Sequence, residues 1–118
     1  MMERFESLAV YHKALTFTKA ARSTVRLFPK DELFGLTSQL RRAADSIVLN
    51  IAEGSGNSSR REVCKFLDYS IRSGFECVAC LDIALQIKYI DQVERDDKVH
   101  QVKEITAMLY GLKKALQR

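Results

Sequence analysis

Five polar side chains, Gln39, Arg42, Ser46, Asn50 and Glu53, recur at spacings of three, four, four and three. That spacing stacks them on one face of a helix. A row of this kind faces water, carries catalysis, or pairs with a neighbouring helix or subunit. Catalysis needs a nucleophile beside a base, and nothing in this row supplies that combination. Of the other two readings, a structural polar network or contact surface is preferred over a solvated face. Arg42 and Glu53 would each pair with a neighbouring helix or subunit, and Asn50 would satisfy backbone groups of the following loop. The stripe is thus expected to order that loop and an assembly.

Other residue patterns with chemical potential are sparse. Cys77 and Cys80 form a C-x-x-C pair, the spacing of zinc or redox chemistry. Both lie in a strongly helical stretch beside Val78 and Leu81, whereas a redox pair usually opens a helix. Zinc would need two more ligands, yet the only histidines are His12 and His100 and no second C-x-x-C exists. Together with Cys64 they read as core cysteines, in keeping with the burial of free Cys. The Glu-x-x-His pairs of a di-metal bundle are missing. His100 and Glu104 read as a surface pair, and Glu94, Asp96 and Asp97 as a solvated helix start without the pattern of a calcium loop. No catalytic residue, metal or cofactor is therefore expected, and the chain reads as a non-enzyme.

Basic residues are the more suggestive group. Arg60, Arg61, Lys65 and Arg72 lie near the start of one helix, and Arg41 and Arg42 lie on another. Such groups track phosphates in a salt-dependent manner. The interleaved acids Asp45, Glu62 and Asp68 leave both surface decoration and a binding surface open. The formal charge of +4 arises mainly in residues 1–30, with six basic and two acidic residues. This mild excess favours nucleic acid or an acidic partner without demonstrating either.

The elements that position these residues are helices. At 118 residues, with 47% apolar content, the chain forms one domain able to bury a core without metal or disulfide help. No run approaches the roughly 18 apolar residues of a membrane span. The acidic residues at the N-terminus argue against a secretory signal, so a cytoplasmic protein is expected. Helices are predicted at about residues 8–28, 34–54, 59–89 and 92–117.

The first helix carries two apolar rows, one of Leu8, Tyr11, Leu15, Thr18 and Val25, the other of Val10, Ala14, Phe17, Ala21, Thr24 and Phe28. Pro29 ends it. In the second, Leu36, Leu40, Ala43, Ala44, Ile47 and Ile51 define the core face. Val48, Leu49 and Ala52 make the C-terminal half of another sector apolar although it points away from that core, a pattern suited to a subunit contact. The loop "GSGNSS" follows. It lacks the spacing of a P-loop and reads as an inter-helix turn, with Gly54 closing one helix and Ser59 and Glu62 opening the next as a capping box. Gly74 sits inside the third helix at a cost in propensity, which implies close approach of a neighbour. The fourth repeats Val99, Val102, Ile105, Leu109, Leu112 and Leu116 as a bundle seam. The fold class is all-α, an antiparallel up-down-up-down four-helix bundle.

The blocks "FESLAVYHKAL", "FPKDELFGLTSQLRRAADSIVLNIAEGSGNSSRRE" and "KFLDYSIRSGFECVACLDIALQIKYI" resemble the four-helix-bundle proteins encoded within intervening sequences of bacterial large-subunit ribosomal RNA genes, the S23-type ribosomal proteins. The resemblance spans about residues 5–90. Residues 35–44 and 50–54 carry its most specific blocks, and the last helix carries little. Tyr11 replaces the usual Trp, and Val48-Leu49 replaces the usual Pro-Ser, a change that bears on a subunit contact. The resemblance implies a left-handed bundle that assembles as a ring-shaped homopentamer. A distant relative of that family, the accessory protein of diversity-generating retroelements, is similar in fold and binds nucleic acid and a reverse transcriptase through a basic surface. Two functions follow as expectations. One is an oligomeric nucleic-acid-binding accessory protein using Arg41, Arg42, Arg60, Arg61 and Lys65 on RNA or DNA. The other is a scaffold for a protein partner.

Overall fold

The computed structural model describes residues 8–57 and 59–118. The N-terminal residues on which the argument against a secretory signal rests, Phe5 of the first family-like block, and Ser58 lie outside them. The described residues form four helices, α1 (Ala9–Val25), α2 (Leu36–Ser55), α3 (Arg60–Gln86) and α4 (Gln92–Leu116), and no strand. A 3-10 turn at Lys30–Glu32 joins α1 to α2. Each helix packs on the next in chain order, and α1 closes the four-sided arrangement against α4. Contacts run in opposite chain directions across the seams. Ile47 meets Ser70 while Gln39 meets Glu76, and Asp68 meets Lys113 while Asp82 meets Arg95.

The core follows the apolar periodicity. Phe17, Leu40, Ile47, Ile51, Leu67, Leu81, Ile105 and Leu109 are among its largest fully buried side chains. In α1 the row from Val10 to Phe28 is buried, whereas Leu15 of the other row is 39% exposed. In α2, Leu40, Ala43, Ala44, Ile47 and Ile51 of the expected core face are buried together with Val48, and Leu36 is half-buried against them. Val48 thus belongs to the core, which corrects its expected position facing away. The same flank of α2 carries Asp45, whose carboxylate receives Thr18 and Arg22 of α1. Packing against both α1 and α3 widens the buried sector of this helix.

The helix ends show why these segments stop where they do. Ser59 Oγ accepts from Glu62 N and caps α3, and Asp91 Oδ1 accepts from Glu94 N at 2.9 Å and caps α4. Gly35, at the N-cap of α2, has no side chain to offer. Glu32 reaches back instead, its Oε1 accepting Leu36 N at 3.0 Å and its Oε2 accepting the Tyr89 hydroxyl at 2.6 Å. A Cβ on Gly35 would stand 2.6 Å from that Oε1, so the carboxylate sits where a side chain would be. Tyr89 also packs on Phe28, ring centroids 5.5 Å apart. The α1–α2 and α3–α4 connections are thereby tied together at one end of the bundle.

Two helices are shorter than predicted. α1 stops at Val25, and residues 26–28 form turns bonded to Thr24 O and Val25 O. α3 stops at Gln86, because Lys88 takes a left-handed conformation with φ of 67°. Lys88 N then bonds Leu85 O and Tyr89 N bonds Ala84 O, the paired closure of a Schellman motif. Within α3, a Cβ on Gly74 would stand 2.7 Å from Thr106 Cγ2 of α4. This is the close approach that the mid-helix glycine implies.

Candidate nucleic-acid interface

The polar row of α2 faces α3 for most of its length. Gln39 Nε2 donates to Glu76 Oε2 at 2.9 Å, and Ser46 Oγ lies 2.9 Å from Ser73 Oγ. Asn50 Nδ2 donates to Ser46 O and Oγ, each at 2.9 Å, instead of reaching the following loop as the sequence suggested. The loop is held by Asn57, whose Nδ2 donates to Glu53 O, and by Ser55, whose hydroxyl donates to Ala52 O. Ser70, absent from the sequence-derived row, adds a fully buried bond to this seam, donating to Ile47 O at 2.8 Å. The small hydroxyls let α2 and α3 approach, and Gly54 permits the same further down. A Cβ there would meet Phe66 Cβ at 2.9 Å. Much of the row is consumed by an inter-helix network. The Arg42 and Glu53 side chains stand outside it, exposed and without a side-chain partner among the described residues.

The five basic residues singled out in the sequence fall into two groups. Arg41 and Arg42 flank Phe34 on the N-terminal half of α2. Arg60, Arg61 and Lys65 open α3 at the opposite end of the bundle. Arg42 is level with the middle of α3, so at 1.5 Å per residue the groups are roughly 20 Å apart along the axis. Arg42 and Ser46 border an open groove of about 490 Å³ with Phe34, Gln39 and Glu76.

Arg61 and Lys65 of the second group line a more basic groove between α3 and α4, about 690 Å³ in volume. Its charged lining is Arg61, Lys65, Arg72 and Lys113 against Glu62 and Asp68. Both carboxylates are engaged, Glu62 with Lys65 at 3.9 Å and Asp68 with Lys113 at 2.8 Å. The Asp68 contact raises the Lys113 ammonium above its ordinary value. Arg61 and Arg72 have no acidic partner among the described residues. Tyr69 lies in the same groove, its ring edge-on to Phe66 and its face under the Arg72 guanidinium, 5.8 Å from the centroid. Sequence reading assigned no binding role to Tyr69, and read Lys113 only as a cation suited to the negative end of the last helix's dipole. Tyr69 follows Lys65 by four and precedes Arg72 by three, a helical register visible in the sequence. Lys113 comes from another helix and carries no such signal.

Cys77 and Cys80 are buried in α3 with free thiols. Burial lifts the Cys77 thiol far above its ordinary value and pushes Cys80 up to about 11, which leaves both protonated and poor nucleophiles. No cluster of three His, Cys, Asp or Glu side chains suited to a metal occurs among the described residues. None of the described helices is long and apolar enough to cross a membrane.

Apolar exposure concentrates where the two connections meet. Phe34 is 93% exposed and Val93 76%, with Leu27, Leu33 and Ile87 about half exposed. On the side of α2, Leu49 is 65% exposed and Ala52 is half-buried, while Val48 is not available at the surface.

Comparison with known proteins places this architecture. The family model of the 23S rRNA-intervening sequence protein matches residues 6–111. A crystal structure of a protein of unknown function from the S23 ribosomal protein family of Bacteroides thetaiotaomicron superposes with a TM-score of 0.81 at 22% identity, covering 90% of this chain and 99% of that one. At that identity the likeness speaks for the fold. No curated protein gives a significant match.

Proposed function

This chain belongs to the family of 23S rRNA-intervening sequence proteins, and from that premise we propose that it is a non-enzymatic, oligomeric accessory protein of the cytoplasm that binds nucleic acid through the α3–α4 groove. The observation carrying this reading is the pair of arginines, Arg61 and Arg72, left without acidic partners among the described residues, in a groove whose carboxylates are already engaged. Charges not balanced by the described residues are available to phosphates, and displaced counterions supply the driving force. Arg60 adds to the same end, although its Nη1 already donates to Arg118 O at 3.3 Å. Arg41 and Arg42, on another part of the surface, are secondary contributors. A homopentamer is the assembly we favour, with Leu49 and Ala52 in the subunit contact.

The test is a titration of the purified protein against labelled structured RNA and duplex DNA across a salt series. Binding should weaken steeply with salt, and Arg61→Ala with Lys65→Ala should weaken it and lower the slope of log K against log salt by about 2. Absence of binding at low salt would overturn the reading. The exposed apolar end around Phe34 and Val93 supports a second function, a scaffold for a protein partner without nucleic-acid contact. That reading would then lead, with Phe34→Asp as its probe.

A further inference from the structure

Resting on nucleic-acid binding in the α3–α4 groove, we propose that the groove takes a single strand, RNA or DNA, with one base stacked on a platform formed by Tyr69 and Arg72. Three observations converge on it. The cations lie on one face of α3, with Arg61 and Arg72 eleven positions apart and Lys65 between them, or roughly 16 Å of helix at 1.5 Å per residue. The aromatic sits inside that run and not at its edge, because Tyr69 lines the groove between Lys65 and Arg72. The platform is also built in advance. The Tyr69 ring is set edge-on by Phe66, centroids 5.6 Å apart, and the Arg72 guanidinium lies over its face with no carboxylate among the described residues drawing it away.

Cations interleaved with an aromatic suit a single strand better than a duplex. Unpaired bases offer a π-face that an aromatic ring or a guanidinium plane can stack on, whereas a duplex keeps those faces in its own stack. Lys113 on the α4 wall and Arg61 with Lys65 on α3 then contact phosphates on either side of the stacked base. Every base offers a π-face to such a platform, so stacking there is tolerant of sequence.

The experiment measures affinity for a labelled twelve-nucleotide single strand, as RNA and as DNA, and for the matching duplex, each across a salt series. The variants are Tyr69→Phe, Tyr69→Leu, Arg72→Lys and Arg61→Ala, with melting temperature followed throughout. The single strand should bind more tightly than the duplex. Tyr69→Leu, which retains an apolar contact for Phe66, should weaken single-strand binding roughly 5- to 100-fold with an unchanged salt slope. Tyr69→Phe should bind as the parent does. Arg72→Lys keeps the charge but loses the plane, so its affinity should fall while its slope stays. Arg61→Ala should flatten the slope by about 1.

Equal affinity for duplex and single strand would overturn this inference. So would a Tyr69→Leu variant that binds normally while Arg61→Ala weakens binding, although the broader proposal of nucleic-acid binding would survive. Absence of binding to any probe at low salt would remove both.

Discussion

Toward α2, α3 presents Ser70, Ser73 and Glu76; around the turn, bordering α4, it presents Arg61, Lys65, Tyr69 and Arg72. Both faces are polar rows at helical spacing, and on paper they look equivalent. On the first, each group meets a partner supplied by α2, down to the buried Ser70–Ile47 bond. On the second, pairing is incomplete and two guanidiniums remain without acids among the described residues. A polar row paired within the fold is part of its packing, and a row with unmatched charge is where a ligand can contribute. Occupancy of partners, more than residue type, separates the two rows here.

That contrast can be broken in order of severity. Gly74→Leu forces a side chain into Thr106 and Val102 and should destabilise by about 3 kcal/mol, read from urea midpoints. An unchanged midpoint would mean α3 and α4 are not in contact at this level. Ser70→Ala removes the buried bond to Ile47 O and should cost about 1 kcal/mol. Asn50→Ala loses bonds to Ser46 on a half-buried part of the seam, and about 0.5 kcal/mol is expected. Glu53→Ala, whose side chain has no partner among the described residues, should remain within about 0.5 kcal/mol of the parent. A loss with Glu53→Ala as large as that with Ser70→Ala would show that Glu53 is engaged in an assembly. Arg72→Ala belongs at the far end of the series, with an unchanged melting temperature and weakened binding.

The features legible in the sequence were those set by local chemistry. The core face of α2, the Ser59 cap, and the tight approach at Gly74 follow from periodicity and from what glycine and serine do to a backbone. The end of α3 was not legible, because a lysine occupies the left-handed position where glycine is the usual signal. Val48 was misplaced because a helix angle gives direction without the number of neighbours, and α2 has one on each flank. The two arginine groups could not be separated from sequence alone, since a loop of unknown path lies between the helices that carry them. Asn50 was assigned to the loop, but Ser46, one turn back on its own helix, offers nearer acceptors.

The bond from Tyr89 to Glu32 gives the protein a shared opening event. Glu32 holds the first amide of α2 while Tyr89 belongs to the segment that closes α3, so fraying one end frees the other. Amide hydrogen exchange should register this as a single local unit. Tyr89→Phe is expected to speed exchange at Leu36, a site it does not touch. Proton activity should gate the same unit from both sides. The Tyr89 bond and the Leu36 amide hold the Glu32 carboxyl below its ordinary range. Its contribution is therefore present above the ordinary glutamate value, roughly pH 4.3, and lost as pH falls through the lower folded value. Tyr89 is raised to about 12 by the same bond, so its contribution is full below the ordinary tyrosine value and lost as pH rises toward that figure. Across the broad interval between, the two connections should open and close as one.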